Sequence, residues 1–360
     1  MNGAAPQKVS VNHKSKTFFY VLAFLVAAML FFSGAELISR LQGKKPWSTA
    51  QVDVVVEPDN KWVIKDDTLG YVHTPGRRKC IINKLFSFTA TNRENNLRIT
   101  HPLETYVSGH NKDEIWIFGC SWTYGLCNDN ETFPWLLQER LPTYEVVNFG
   151  LGGGGTVQSL LLFEEYIKKG TRPKITVIAY ASFHDERNSF LRKRRKDVAP
   201  YNNLGPIAIP YARLDHNNKL RYYKPKLEYR EFPLVRYSAF MNYIEDQYNR
   251  IEDRFVHSHD VSKALMKEFK NLCERYNTRL IIAGITGDSA TKEMLEYCRQ
   301  EGIAAVDMSV DLGREGYTNA PYDSHPSRLA NKEYAEKLYL FIESVLPRQQ
   351  GGASKTVGQF

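Results

Sequence analysis

Cysteine is scarce in this chain, with five residues in 360 (Cys80, Cys120, Cys127, Cys273 and Cys298), none in a C-x-x-C pair or at Cys/His ligand spacing. That pattern excludes a disulfide-stapled scaffold and argues against a metal site of the zinc type. A strong charge imbalance is also missing. Lysine plus arginine number 48 and aspartate plus glutamate 40, a net +8. This suits contact with anionic surfaces but is no nucleic-acid signature. Internal repeats do not occur. With 42% hydrophobic and 24% charged residues, the composition is globular, not disordered or fibrous. The length allows two domains without requiring them, and a large core needs no staples.

Charge is absent altogether from Thr17 to Ala35, TFFYVLAFLVAAMLFFSGA. A helix of that length measures roughly 28 Å, about a hydrocarbon core. Two readings fit. Ser33-Gly34-Ala35 is a small-x-small cleavage site, as in a signal peptide. The run is longer than the usual signal core and continues to Ile38, which favours a transmembrane anchor over 17–38. A short basic tail (1–16, with Lys8, Lys14 and Lys16) precedes it, and Arg40, Lys44 and Lys45 follow. The expected arrangement is a single-pass membrane protein with its large domain outside the cytoplasm.

Residues 39–110 are broken by Pro46, Pro58 and Pro75 and read as a stalk with a small β-rich region. From 111 to 348 the pattern alternates. Apolar runs at 114–119, 144–150, 175–182, 279–285 and 303–309 are separated by helical spacings at 132–141, 156–170, 260–277, 290–302 and 328–346. Such alternation predicts an α/β three-layer sandwich around a parallel sheet of roughly five strands. Nearly continuous apolar runs fit strands covered on both faces. An insertion at 190–258, rich in Tyr, Arg and Lys, interrupts the alternation. The tail 349–360 is expected to be disordered.

Ligands of open parallel sheets bind beyond the carboxyl ends of the strands. The loops there contain Gly119-Cys120-Ser121, Gly150-Leu151-Gly152-Gly153-Gly154-Gly155, Phe183-His184-Asp185 and Asp323-Ser324-His325-Pro326. Together they supply a nucleophile, oxyanion donors, a base and its orienter. Taken singly, the serine also reads as a turn cap and the histidine as a surface residue. The glycine run fits G-x-G-x-x-G as well. It lacks the acidic residue that a dinucleotide site wants at the end of the next strand, so that reading is rejected. Glycines there can instead let a backbone N–H approach an oxyanion, or simply form a flexible turn.

Gly119-Cys120-Ser121-Trp122-Thr123-Tyr124-Gly125, Asn148-Phe149-Gly150-Leu151-Gly152-Gly153 and Asp323-Ser324-His325-Pro326 resemble the first, second and fifth blocks of the SGNH or GDSL-type hydrolases. The resemblance covers about residues 111–346. It implies a flavodoxin-like fold, with Ser121 as nucleophile, His325 as base, Asp323 as its partner, and the N–H groups of Ser121 and Gly153 as oxyanion donors. Cys120 stands where aspartate is usual. His184-Asp185 stands where Asn-Asp is usual, so His184 would be the side-chain donor. Asp323 and His325 are separated by one residue, where many members have two. The segment 66–76, DDTLGYVHTPG, also resembles the region that leads into membrane-attached bacterial members.

The resemblance implies an esterase that works through an acyl-enzyme on Ser121, with no metal or organic cofactor. The substrate would be an acylated small molecule or glycan, such as an O-acetyl group on a cell-envelope polysaccharide. An O-acyltransferase, in which a hydroxyl replaces water, and a non-catalytic binding module on the same fold are the alternatives. Membrane contact is expected through the N-terminal helix, and no nucleic acid. The basic run Arg192–Lys196 reads as a solvated loop or as a contact for acidic groups near the cleft. Tyr222, Tyr223, Tyr229 and Tyr237 read as sugar-stacking rings or as core of the insertion.

Overall fold

The computed structural model describes residues 13–48, 53–105, 112–199 and 204–346. The tail expected at 349–360 and most of the basic tail at 1–16 lie outside the described residues. The chain forms two compact units, Met1–Ala50 with Tyr229–Glu252, and Gln51–Glu228 with Asp253–Phe360.

Helix α1 (His13–Leu41) starts before Thr17 and ends beyond Ile38, so the apolar run lies inside a longer helix. Next come strands β1 (Val54–Glu57), β2 (Val63–Asp66), β3 (Gly70–His73), β4 (Gly76–Ile82) and β5 (Phe86–Asn92). β1, β4 and β5 form an antiparallel sheet and β2 pairs with β3. The period-2 alternation of the strands buries Val56, Cys80, Ile82, Phe88 and Ala90 in one small cluster.

The α/β part then runs through β6 (Asp113–Gly119), α2 (Ser121–Tyr124), α3 (Phe133–Arg140), β7 (Tyr144–Gly150), α4 (Thr156–Lys168) and β8 (Ile175–Tyr180). The insertion holds more regular structure than its sequence pattern suggests. It contains α6 (Arg192–Val198), which follows α5 (His184–Asn188), then the hairpin β9 (Tyr211–Leu214) with β10 (Leu220–Tyr223), then α7 (Ala239–Ile251) and α8 (Asp253–Val256). The chain ends with α9 (Ser258–Arg275), β11 (Arg279–Gly284), α10 (Ser289–Gln300), β12 (Ala304–Asp307) and α11 (Arg328–Val345).

β6, β7, β8, β11 and β12 pair in parallel in the order β12-β11-β8-β6-β7. Counted along the chain this is 2-1-3-4-5, the flavodoxin-like order. Successive residues of each strand serve opposite layers. Ile115, Ile117, Val177 and Ile281 pack with Phe133 and Leu137 of α3 and with Tyr334 and Leu338 of α11. Trp116, Phe118, Ile178 and Ile282 pack with Phe163 of α4, Phe269 of α9 and Leu295 of α10. The fold is thus the expected three-layer α/β sandwich. Its order reverses between β6 and β8, which opens a crevice beyond the ends of those two strands.

Candidate active site

β6 ends at Gly119, and the chain turns at the fully buried Cys120 to make Ser121 the first residue of α2. Ser121 Oγ lies 2.8 Å from His325 Nε2. His325 Nδ1 lies 2.7 Å from Asp323 Oδ1, and the same oxygen accepts the His325 backbone N–H at 2.7 Å. One carboxylate oxygen therefore holds both ring and backbone, which explains why a single intervening residue suffices. The carboxylate fixes the ring proton on Nδ1 and leaves Nε2 to accept from the serine hydroxyl. Asn319 braces the loop by receiving at its carbonyl the Asp323 N–H, 3.1 Å away, and by donating its own N–H to the His325 carbonyl at 3.0 Å. Burial opposes the charge on Asp323. The hydrogen bonds and charge of His325, with a hydrogen bond from Asn319, outweigh it and hold the carboxyl below its ordinary range. Ser121, His325 and Asp323 are thus brought together in one hydrogen-bonded line.

The glycine loop after β7 packs directly against α2. A Cβ on Gly150 would lie 2.2 Å from the Tyr124 nitrogen, so only glycine lets β7 pass this close to α2. Gly153 has φ +75°, and a Cβ there would lie 2.7 Å from the Tyr71 hydroxyl and 2.9 Å from an Arg194 nitrogen. Tyr71 donates to the Gly152 carbonyl at 2.8 Å, Arg194 to that of Gly153 at 2.9 Å and Arg187 to that of Gly154 at 3.0 Å. The Gly152 N–H donates to His73 Nε2 at 3.1 Å. A trans peptide points its N–H opposite its C=O, so the Tyr71 bond also sets the direction of the Gly153 N–H. Among the described hydrogen bonds, neither the Gly153 nor the Ser121 N–H donates to a protein acceptor. His73 is buried. That burial, with the charge of Arg98, pushes its pKa down to about 3, so the ring stays a neutral acceptor.

His184 opens α5 and is 1% exposed. Its ring meets those of Tyr180 and Phe183 edge-on at 5.8 and 5.0 Å, and neither ring nitrogen has a hydrogen-bond partner among the described residues. Burial, then the charges of Arg187 and Arg194, push its pKa well below the ordinary value. Burial thus favours the neutral ring over the protonated one. Its described contacts are aromatic and do not include Ser121, His325 or Gly153. Asp185 bonds the Tyr180 hydroxyl at 2.6 Å and His259 Nδ1 at 2.8 Å. The nearby Asn188 is fully occupied, because its carbonyl accepts the Thr156 and Val157 N–H groups and its amide donates to Thr156 and Ser262.

Three supporting residues carry no motif of their own. Tyr71 and His73 lie in the 66–76 segment whose resemblance was the one available signal. Arg98 is fully buried and binds the carbonyls of Tyr124 and Cys127 at 2.9 and 2.7 Å, as well as those of Thr89 and Gly125. It also pairs with Asp129 at 3.1 Å, which fixes the loop that follows Ser121. The basic run is not simply solvated, since it forms α6 and sends Arg194 to the glycine loop. Tyr222, Tyr223 and Tyr237 are exposed and form no core. Among the described residues no group of three or more His, Cys, Asp or Glu is placed to hold a metal ion. A cavity of about 910 Å³, lined by Arg77, Thr91, Asn92, Arg93, Asp129 and Trp135 among others, contains none of the predicted site residues.

No family model matches the chain, and no curated protein matches it. Among solved structures it is similar to a lipolytic protein of the G-D-S-L family from Veillonella parvula, at 12% identity and TM-score 0.37 over 65% of this chain and 99% of that one. It is also similar to a carbohydrate acetylesterase family member from Sinorhizobium meliloti, at 10% identity and TM-score 0.37 over 64% and 98%. A family two carbohydrate esterase from Clostridium thermocellum, solved as an active-site mutant, is similar at 11% identity and TM-score 0.36 over 65% and 64%.

Proposed function

We propose that the protein is a serine esterase of the SGNH type, and the observation that carries this reading is the Ser121–His325–Asp323 line with its 2.8 and 2.7 Å links. His325 Nε2 takes the hydroxyl proton as Ser121 Oγ attacks an ester carbonyl. Asp323 holds the imidazolium that forms. The oxyanion is received by the N–H groups of Ser121 and Gly153, with His184 as a third, neutral donor. Among the described residues neither of its ring nitrogens has a hydrogen-bond partner, which supports that role. The tetrahedral intermediate collapses, and the leaving alcohol takes the proton from His325. Water then attacks the acyl-enzyme while His325 takes its proton, and the second tetrahedral intermediate collapses to the acid as His325 returns that proton to Ser121 Oγ.

The proposed substrate is an O-acyl group, such as acetyl, on a cell-envelope glycan. α1 serves as a single-pass anchor with the catalytic unit outside the cytoplasm, supported by the uncharged run behind a basic tail. Purified full-length protein should hydrolyse a simple acetyl ester, and Ser121→Ala should not. Equal turnover by the variant would reject the mechanism, and no turnover or acyl transfer by the wild type would favour a binding module. Protease added to spheroplasts should digest the catalytic unit. Protection until lysis would reverse the orientation.

A further inference from the structure

Amphipathic helices in water-soluble units turn their apolar stripe inward. α9 does so, burying Val261, Leu265, Met266, Phe269 and Leu272. α7 is inverted. Tyr237, Met241, Ile244, Tyr248 and Ile251 recur every three or four residues on one side of the helix and its lead-in. Of these, Tyr237, Ile244, Tyr248 and Ile251 are 78%, 38%, 51% and 42% exposed. The buried side carries polar groups. Glu245 accepts the Phe232 N–H at 2.7 Å and Asn249 donates to the Tyr229 hydroxyl at 3.3 Å.

This inverted helix is fastened to α1. The Glu36 carboxylate accepts the N–H groups of Ala239 and Phe240 at 3.1 and 2.9 Å and the Ser238 hydroxyl at 2.6 Å. Phe240 packs edge-on against Phe31 and Phe32, with centroids 6.3 and 6.1 Å away. The Trp47 N–H reaches the Val235 carbonyl at 2.8 Å, and Lys44 sits 3.0 Å above the Tyr243 ring. Glu36 is the first charge after the apolar run, so it marks where hydrocarbon would end. α7 starts at that level with its apolar stripe exposed, beside α1, whose Lys16–Leu41 span contains an 18-residue stretch of mean hydropathy 2.3 and is itself largely exposed.

We propose that residues 229–252 form an interfacial collar on the end of α1, with Tyr237, Ile244, Tyr248 and Ile251 seated at the headgroup–acyl boundary of an anionic phospholipid bilayer. The proposal rests on reading α1 as a span and is independent of the ester chemistry. Tyrosine suits that boundary, with an apolar ring and a wet hydroxyl. Arg40, Lys44, Lys45, Arg236 and Arg250 supply the cations that draw such a helix to anionic headgroups. The collar also makes α1 a retained anchor. Removal after Ala35 would strip Phe31 and Phe32 from Phe240 and leave the clasp at Glu36 on a free chain end.

The native cysteines are all buried, so single cysteines introduced at exposed positions can be labelled selectively. Tyr248→Cys, Ile244→Cys and, as a control on the exposed β9–β10 turn, Lys219→Cys are labelled with an environment-sensitive fluorophore in the full-length protein. Each is reconstituted in vesicles of phosphatidylcholine and phosphatidylglycerol. The collar predicts blue-shifted emission at 244 and 248 that spin-labelled acyl chains quench several-fold more than at 219. Iodide quenching at 244 and 248 equal to that at 219 would overturn it. So would shielding from both quenchers together with cross-linking between copies, which would assign the stripe to a second copy of the chain. The N-terminus of membrane-extracted protein is a separate check. A start at Glu36 would overturn retention, and a start within the first twelve residues upholds it. Ester turnover enters neither readout, so failure here leaves the esterase reading untouched.

Discussion

The acid-base side of the site and its glycine side are built in different ways. Asp323 and His325 stand two positions apart in one loop, and a single carboxylate oxygen orients the ring. The glycine loop is held from far along the chain, by Tyr71 and His73 some eighty residues earlier and by Arg194 about forty later. Proton transfer needs a few side chains at hydrogen-bond distance, which a short motif can encode. An oriented backbone N–H needs a rigid peptide, and glycine supplies freedom instead of rigidity. The frame must therefore come from distant groups that grip each carbonyl in turn.

The largest effect should come from the acid-base side. Ser121→Ala and His325→Ala are expected to lower kcat by about 10⁴- to 10⁶-fold, while thermal unfolding stays near wild type because Ser121 adds little to the core. Unfolding shifted far downward would mean that these residues are structural. On the glycine side, Gly153→Ala is expected to lower kcat by about a hundredfold or more. Its positive φ and the 2.7 Å approach to Tyr71 force the loop to move. A fully active Gly153→Ala enzyme would remove that loop from catalysis. His184→Ala should slow single-turnover acylation by about ten- to a hundredfold, with His184→Asn recovering much of it. Loss of stability with unchanged acylation would leave His184 a packing residue.

Tyr71→Phe sharpens the comparison, since it deletes one hydroxyl of the frame. A several-fold drop in kcat with little change in KM is expected if the Gly153 N–H is the oxyanion donor proposed above, because the Tyr71 bond to the Gly152 carbonyl sets its direction. Unfolding measured alongside should show a loss of about 1 kcal/mol. A changed KM with constant kcat would instead assign Tyr71 to substrate binding. The smallest effect at neutral pH concerns stability. His73 and His184 have depressed pKa values in the fold, so below about pH 6.5 the unfolded chain binds protons that the folded chain does not. Stability should be fully present above that pH and fall as pH drops, by up to about 1.4 kcal/mol per pH unit for each ring. Urea unfolding between pH 4 and 7 tests this, and replacing His184 with Asn should flatten the slope.

Much of the α/β frame was legible because strands covered on both faces are written as unbroken apolar runs. The runs at 114–119 and 144–150 became β6 and β7, and the spacing at 328–346 became α11. Ser121, His325 and Asp323 were legible as candidates because they are chemistry-bearing residue types in loops that topology places at strand ends, and the structure joins them by hydrogen bonds. Arg98 was not, because a buried arginine that bonds four carbonyls looks like any surface arginine in the sequence. The β9–β10 hairpin was hidden by its charges, with Arg213, Arg221 and Lys219 in or beside it. The stripe of α7 has ordinary helical spacing, and spacing alone does not tell which side faces in.

The most direct test of an activated serine is covalent trapping. Full-length protein treated with a fluorophosphonate and mapped by mass spectrometry should carry one adduct, on Ser121. The adduct should be lost in His325→Ala, where no base draws the hydroxyl proton. An unlabelled wild-type protein, or an adduct on another residue that persists in Ser121→Ala, would contradict the account.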